Sequence, residues 1–176
     1  ERLDEAELLT LVGDIDGALC GDDRFTEKVL DAAPRLKVIA KWGTGIDSID
    51  QEACRRRGVK VRNTPDAFTH PVADTVLGYV LCFARCLVEM NRGLHGGLWT
   101  KLPSRALRET TLGVIGVGNI GKAVIRRALG FGMRVVGNDI VAMPPEFLAE
   151  TGILMVERGE LLRTSDFVSI NCDLNP

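Results

Sequence analysis

Gly116-Val117-Gly118-Asn119-Ile120-Gly121 is the stretch of this 176-residue chain whose residue types and spacing most directly imply chemistry. Glycines in a G-x-G-x-x-G array let a backbone turn sharply, bare its N–H groups and admit a bulky anion. In a chain with 19 Gly the array alone is weak, so its flanks must decide. Residues 112–116 read as an aliphatic strand, and residues 119–129 as a helix with Ile120, Val124 and Ala128 on one face. A loop at such a strand-to-helix turn combines free N–H groups with the positive end of a helix dipole, the setting in which a pyrophosphate binds. Gly116 then permits the tight turn, Gly118 lets the diphosphate approach the backbone, and Gly121 lets the helix pack on its strand. Asp139 follows Gly121 by 18 residues, at the end of a second strand, where a carboxylate accepts hydrogen bonds from adenosine ribose hydroxyls. That carboxylate repels a 2′-phosphate, and the following "IVAMPPEF" brings no base, so NAD is the expected cofactor rather than NADP.

A second glycine pair, in Gly43-Thr44-Gly45, follows the apolar run "LKVIA" (36–40). A G-x-G turn after a strand reads either as an anion-binding nest or as an ordinary turn. The two histidines offer less. His70 precedes Pro71 at a helix start and His95 sits among glycines, positions that suit capping or surface roles, so no catalytic residue is assigned. The five cysteines are odd in number and scattered, no C-x-x-C occurs, and neither His lies at zinc-ligand spacing from a Cys. No metal site is expected, and the thiols suit a reducing, cytoplasmic compartment.

Composition excludes other classes. Net charge is −2, and the one basic cluster, Arg55-Arg56-Arg57 with Lys60 and Arg62, reads as a solvated face, so no nucleic-acid partner is expected. The longest apolar stretch, residues 76–84, is closed by Arg85 and is too short to span a bilayer, so no membrane partner is expected either.

The elements that must position these residues alternate. Strands at 17–20, 36–40 and 59–63 are separated by helices that Thr26 and Asp50 cap and that Pro34 and Gly58 end. The pattern restarts with the strand at 112–116, followed by strands at 133–138, 153–156 and 167–171, with helices at 119–129, about 145–151 and 157–163 between them. Strand–helix alternation with short links implies βαβ units and parallel sheets. Between the two series, Pro71 opens a helix, apolar almost all round, that is expected to run unbroken to about residue 91 and to be buried on several sides. The expected division is therefore residues 1–91 and residues 92–176.

These motifs in this order resemble the D-isomer-specific 2-hydroxyacid dehydrogenases. The matching stretches are "LKVIAKWGTGIDSID" (36–50), "GVKVRNTPDAFTHPVADTVLGYVL" (58–81), "GGLW" (96–99), "TLGVIGVGNIGKAV" (111–124), "GMRVVGNDI" (132–140) and "ELLRTSDFVSINCDLNP" (160–176). The resemblance implies an α/β protein of two lobes, part of a flavodoxin-like substrate lobe and the first part of a Rossmann NAD-binding domain, with the active site in a cleft between them. It implies that the turn Gly43, Thr44, Gly45 holds a substrate carboxylate, with Thr44 also near the nicotinamide. It further implies that Asn119 and Ile120 contact the pyrophosphate, and that Asn171 and Cys172 lie against the adenosine half of NAD. The implied activity is NAD-dependent hydride transfer on a 2-hydroxy or 2-oxo acid, 3-phosphoglycerate being the first candidate, by a homodimer. An NAD-sensing, corepressor-like binding protein on the same fold is the alternative. Both chain ends are expected to be cuts, with the family's catalytic Arg, Glu and His beyond the position matching Pro176. Three departures stand out: "NCD" (171–173) in place of His-x-Pro, Asp74 in place of Glu, and Asp66 where Gly or Asn is frequent.

Overall fold

The computed structural model describes residues 2–172. Glu1, the Asp173 of the "NCD" departure and residues 174–176 of the last family motif lie outside the described residues. The chain forms two compact units that divide between Phe68 and Thr69.

The first unit runs α1 (Glu5–Leu11), β1 (Gly17–Cys20), α2 (Glu27–Asp31), β2 (Val38–Lys41), α3 (Gln51–Arg56) and β3 (Lys60–Asn63), with a parallel sheet in the order β1-β2-β3. The expected caps form: Thr26 and Asp50 accept from the backbone N–H of Val29 and Ala53. Helix α1 has no counterpart in the strand–helix pattern read from the sequence. Its signal is a capping box, in which Asp4 accepts from Glu7 N–H and Glu7 from Asp4 N–H, both at 2.9 Å. Phe25, Val29, Ile39, Ala53 and Cys54 form the buried centre of this unit. Three members of the basic cluster are paired on its surface, Arg55 with Glu52, Arg56 with Glu27 and Arg57 with Asp31. These residues lie on an exposed face.

The second unit opens with α4 (Thr69–Arg85) and α5 (Leu87–His95), then a single 3-10 turn (Leu107–Glu109). There follow β4 (Thr111–Ile115), α6 (Asn119–Gly130), β5 (Arg134–Asn138), α7 (Pro145–Thr151), β6 (Leu154–Met155), α8 (Arg158–Thr164) and β7 (Phe167–Ile170). Its parallel sheet has the order β6-β5-β4-β7. The first four residues of β4 are buried, as suits a central strand covered on both faces.

The expected unbroken helix is two. Cys86 adopts left-handed φ 52° and ψ 38°, and the axes of α4 and α5 bend by 66° there. No Pro or Gly marks the break. Residues 103–105 return beside it, Arg105 N–H donating to the Ala84 carbonyl at 2.9 Å and Cys86 Sγ–H to the Pro103 carbonyl at 3.4 Å. Nor is α4 buried all round. Ala73, Leu77, Val80 and Ala84 form one buried stripe, whereas Tyr79 is 64% and Phe83 76% exposed. The stripe joins Leu112, Val124 and Ile125 in one core, which is why α4 belongs to the second unit and not, as the boundary near residue 91 expected, to the first.

Candidate functional site

In the second unit the chain steps from β4 outward to β5 and β6, then crosses back to lay β7 on the other side of β4. In open α/β sheets such a reversal leaves a crevice at the carboxyl ends of the two diverging strands, and ligands bind there. The 116–121 loop leaves the carboxyl end of β4 at this point, and Asn171 and Cys172 leave that of β7 beside it. Asn171 N–H donates to the Ile115 carbonyl at 2.8 Å.

Each loop glycine answers to a different neighbour. Gly116 has φ +84°, and a Cβ there would lie 2.5 Å from the Cys172 backbone nitrogen. Its glycine thus serves the close passage of the chain after β7 as well as the turn. At Gly121 a Cβ would lie 2.1 Å from the Gly116 carbonyl oxygen, so α6 packs against the loop's own backbone. Gly118 differs. It is exposed, extended at φ −72° and ψ −156°, with nothing within 4 Å of a notional Cβ. As N-cap of α6 it offers no side chain to the N–H groups of the first turn, which begins with Asn119 and Ile120. An open, bare position before a helix N-terminus, between two glycines closed by packing, fits a diphosphate.

Asp139 follows β5 and is half-buried. Its Oδ2 accepts the N–H of Val117 at 2.5 Å and its Oδ1 that of Val141 at 2.9 Å. A carboxylate has about four lone-pair sites, so acceptor capacity remains for ribose hydroxyls. Two features here escape sequence reasoning. The carboxylate binds the glycine loop itself, and Ile140 and Val141 stand 101% and 64% exposed beside it, an apolar surface suited to a flat base. The run Asp139-Ile140-Val141 carries the only sequence signal, apolar residues just past a strand end.

In the first unit the turn 43–45 leaves the carboxyl end of β2. Thr64 fixes it, its Oγ1 accepting Gly43 N–H at 3.0 Å and its N–H donating to the Gly43 carbonyl at 3.1 Å. Asn63 Nδ2 donates to the Thr44 carbonyl at 2.7 Å. Gly43 N–H is therefore engaged, and Thr44 and Gly45, both exposed, are the members of the turn whose N–H groups face no acceptor among the described residues.

The departures acquire local reasons. Asp66 has φ +65°, the region that favours Gly and tolerates Asn and Asp. Asp74 accepts from Arg127 Nε at 2.6 Å, and His70 Nδ1 lies 3.3 Å from Arg127 Nη2, so both belong to a clamp between α4 and α6. His95 ends α5. Among the described residues no group of three or more His, Cys, Asp or Glu side chains could hold a metal, and no single helix is long and apolar enough to cross a membrane.

Residues 77–176 match the family described as D-isomer specific 2-hydroxyacid dehydrogenase, NAD binding domain. The chain belongs to that family. Over 177 residues it is 34% identical to a hydroxypyruvate reductase of Thermotoga maritima, covering 99% of this chain and 56% of that protein. It is 32% identical to the D-3-phosphoglycerate dehydrogenase of Rattus norvegicus over 179 residues, covering all of this chain and 33% of that one. Among solved structures, D-lactate dehydrogenase from Aquifex aeolicus, complexed with NAD and lactic acid, superposes with a TM-score of 0.86 at 28% identity, over 96% of this chain and 52% of that chain. The chain thus spans about half or less of the length of these relatives. Its second unit is the part that carries the NAD-binding domain of 2-hydroxyacid dehydrogenases.

Proposed function

We propose that this chain supplies the dinucleotide cradle and the carboxylate anchor of an NAD-dependent oxidoreductase that interconverts a 2-hydroxy acid and its 2-oxo acid. The observation that carries the reading is the convergence of exposed Gly118, the opening of α6, Asp139 and the end of β7 at the reversal of one parallel sheet. Gly118, Asn119 and Ile120 bind the diphosphate through backbone N–H groups, and Gly116 and Gly121 give the loop its shape. Asp139 accepts from the ribose, and Asn171 and Cys172 flank the adenosine half. Bound NAD supplies the hydride acceptor. The N–H groups of Thr44 and Gly45 hold the acid's carboxylate, which leaves C2 free to react; Gly43 contributes conformation only. The chain's two histidines take no part in the proton transfer.

The named relatives point to three-carbon acids, hydroxypyruvate and 3-phosphoglycerate, which share the carboxylate head that such a turn reads. We keep 3-phosphoglycerate as the first candidate; the phosphoglycerate dehydrogenase and the hydroxypyruvate reductase both match along essentially the whole chain, so assays on the two acids decide between them. A cytoplasmic site of action agrees with five unpaired cysteines. A homodimer agrees with Val88, Leu94, Leu98 and Trp99, all at least half exposed along α5 and the turn after it, an apolar surface that a second copy would cover. Sedimentation of the chain tests the dimer, and a monomer at all concentrations rejects it.

The cradle is tested by titrating NADH into the isotope-labelled chain and following backbone amides. Saturable shifts at Gly118, Asn119, Ile120 and Cys172 are expected. Saturation with shifts confined to other residues overturns the assignment.

A further inference from the structure

Lys41, the last residue of β2, is a lysine whose side chain is only 3% exposed. A buried ammonium is costly unless each of its donors finds an acceptor. All three do. Nζ donates to the Gly21 carbonyl at 2.9 Å, to Asp22 Oδ1 at 2.5 Å and to Ser48 Oγ at 3.3 Å. These acceptors come from two loops, the one after β1 and the one between β2 and α3. The stem of the same side chain runs beneath the anchor turn: a Cβ on Gly43 would lie 3.2 Å from Lys41 Cε and 3.7 Å from Cγ. The turn is thus hydrogen-bonded by Asn63 and Thr64, and the Lys41 stem fills the space that a side chain on Gly43 would need.

We propose that Lys41 is a positioning residue for the carboxylate anchor: it ties the loop at Gly21 and Asp22 to the loop at Ser48, supports Gly43 from below, and itself touches no substrate. The proposal rests on the reading of turn 43–45 as that anchor. It explains why a cation next to an anion site is turned inward: no donor of Lys41 is left over to meet a ligand. Of the three acceptors, Asp22 is 77% exposed, so the ammonium is buried by the two loops it joins and not by a buried counter-charge. One carboxylate stands close to the turn. Asp47 Oδ1 lies 2.9 Å from a notional Cβ on Gly45, so the position of Ser48, the next residue, also governs how closely a carboxylate crowds the anchor. The Asp22 carboxyl is held below its ordinary value chiefly by the hydrogen bond from Lys41.

The test uses the full 176-residue chain and pyruvate as the probe, with backbone amides, the Lys41 Cε resonance and backbone order parameters as readouts. In the wild type, pyruvate shifts the Thr44 and Gly45 amides and leaves Lys41 Cε unmoved. Lys41→Met keeps the stem and removes the donors; it weakens pyruvate binding about tenfold or more and lowers the order of residues 43–48, while Ile39 and Ala53 stay as ordered as before. Lys41→Arg recovers most of the loss. A Lys41 Cε resonance that moves with pyruvate overturns the proposal in favour of a direct ligand. Equal binding and equal order in wild type and Lys41→Met also overturn it, with the anchor intact. If pyruvate shifts neither Thr44 nor Gly45 in the wild type, the anchor reading fails, and order parameters alone decide whether Lys41 clamps the loops. Should Lys41→Met not fold, Ser48→Ala decides: a loss of binding and order between residues 43 and 48 supports the clamp, and none rejects it.

Discussion

Asp139 Oδ2 accepts the backbone N–H of Val117 at 2.5 Å, so the carboxylate that borders the glycine loop also fastens it. One side chain therefore sets the loop's shape and the charge that a cofactor meets.

From this follows a preference for NADH over NADPH, because the carboxylate faces the added phosphate and residues 140–147 bring no base to offset it. Asp139→Ala should weaken NADH binding about tenfold or more, since an acceptor to the ribose and the fastening of Val117 go together. It should also narrow the preference, since the repulsion goes with them. Dissociation constants for both nucleotides, measured by fluorescence titration, check this; NADPH binding as tightly as NADH to the wild type refutes it.

The loop glycines should separate binding from folding. Gly118→Ala has open space and an ordinary φ of −72°, so the melting temperature should hold while NADH affinity drops. Gly121→Ala drives a Cβ to 2.1 Å from the Gly116 carbonyl oxygen and should cost about 1–3 kcal/mol of stability. Thermal melts with and without NADH distinguish the two, and equal loss of stability in both would show that the open space at Gly118 is not real.

Asp166 should make stability depend on pH. Its carboxyl is held below the ordinary 3.8 by the Thr111 N–H first and by Arg105 second. Oδ2 accepts from Thr111 at 2.8 Å and Oδ1 from Arg105 at 2.7 Å, which fixes the start of β4 to the start of β7. A carboxyl depressed in the folded state stabilises above its unfolded value, and that contribution fades as pH falls through the folded value. Asp166→Asn should thus melt below the wild type near neutrality, with the gap narrowing as pH drops below about 4. A gap that stays constant from neutral pH down through that range would assign the loss to packing instead.

The 176-residue chain should not turn over pyruvate, glyoxylate, hydroxypyruvate or 3-phosphohydroxypyruvate with NADH. His70 sits beside Arg127 in the clamp between α4 and α6, and His95 ends α5. Neither is a positioned acid, and loss of general acid catalysis alone costs on the order of 100- to 10,000-fold. Steady NADH oxidation abolished by His70→Ala or His95→Ala would overturn this.

The sequence by itself determined what depends on near neighbours. The caps at Thr26 and Asp50, the strand–loop–helix around Gly116 and the acid after β5 were legible because a cap, a turn and a hydrophobic period are each written within a few residues. The motif order was legible only through the family resemblance, which also named Asn171 and Cys172. Tertiary structure alone decided the rest. The break at Cys86 lies where residues 103–105 return to the end of α4, and the apolar pattern across it carried no sign of a bend. Lys41 lies just past the strand read at 36–40 and drew no reading from the sequence; its burial became affordable only when Gly21, Asp22 and Ser48 arrived from other loops with three acceptors. The Asp139–Val117 bond spans 22 residues and exists because β4 and β5 are neighbours in register, Ile115 against Asn138. Local chemistry chooses elements, but where two backbones or a charge and its acceptors meet depends on segments that only the folded sheet brings together.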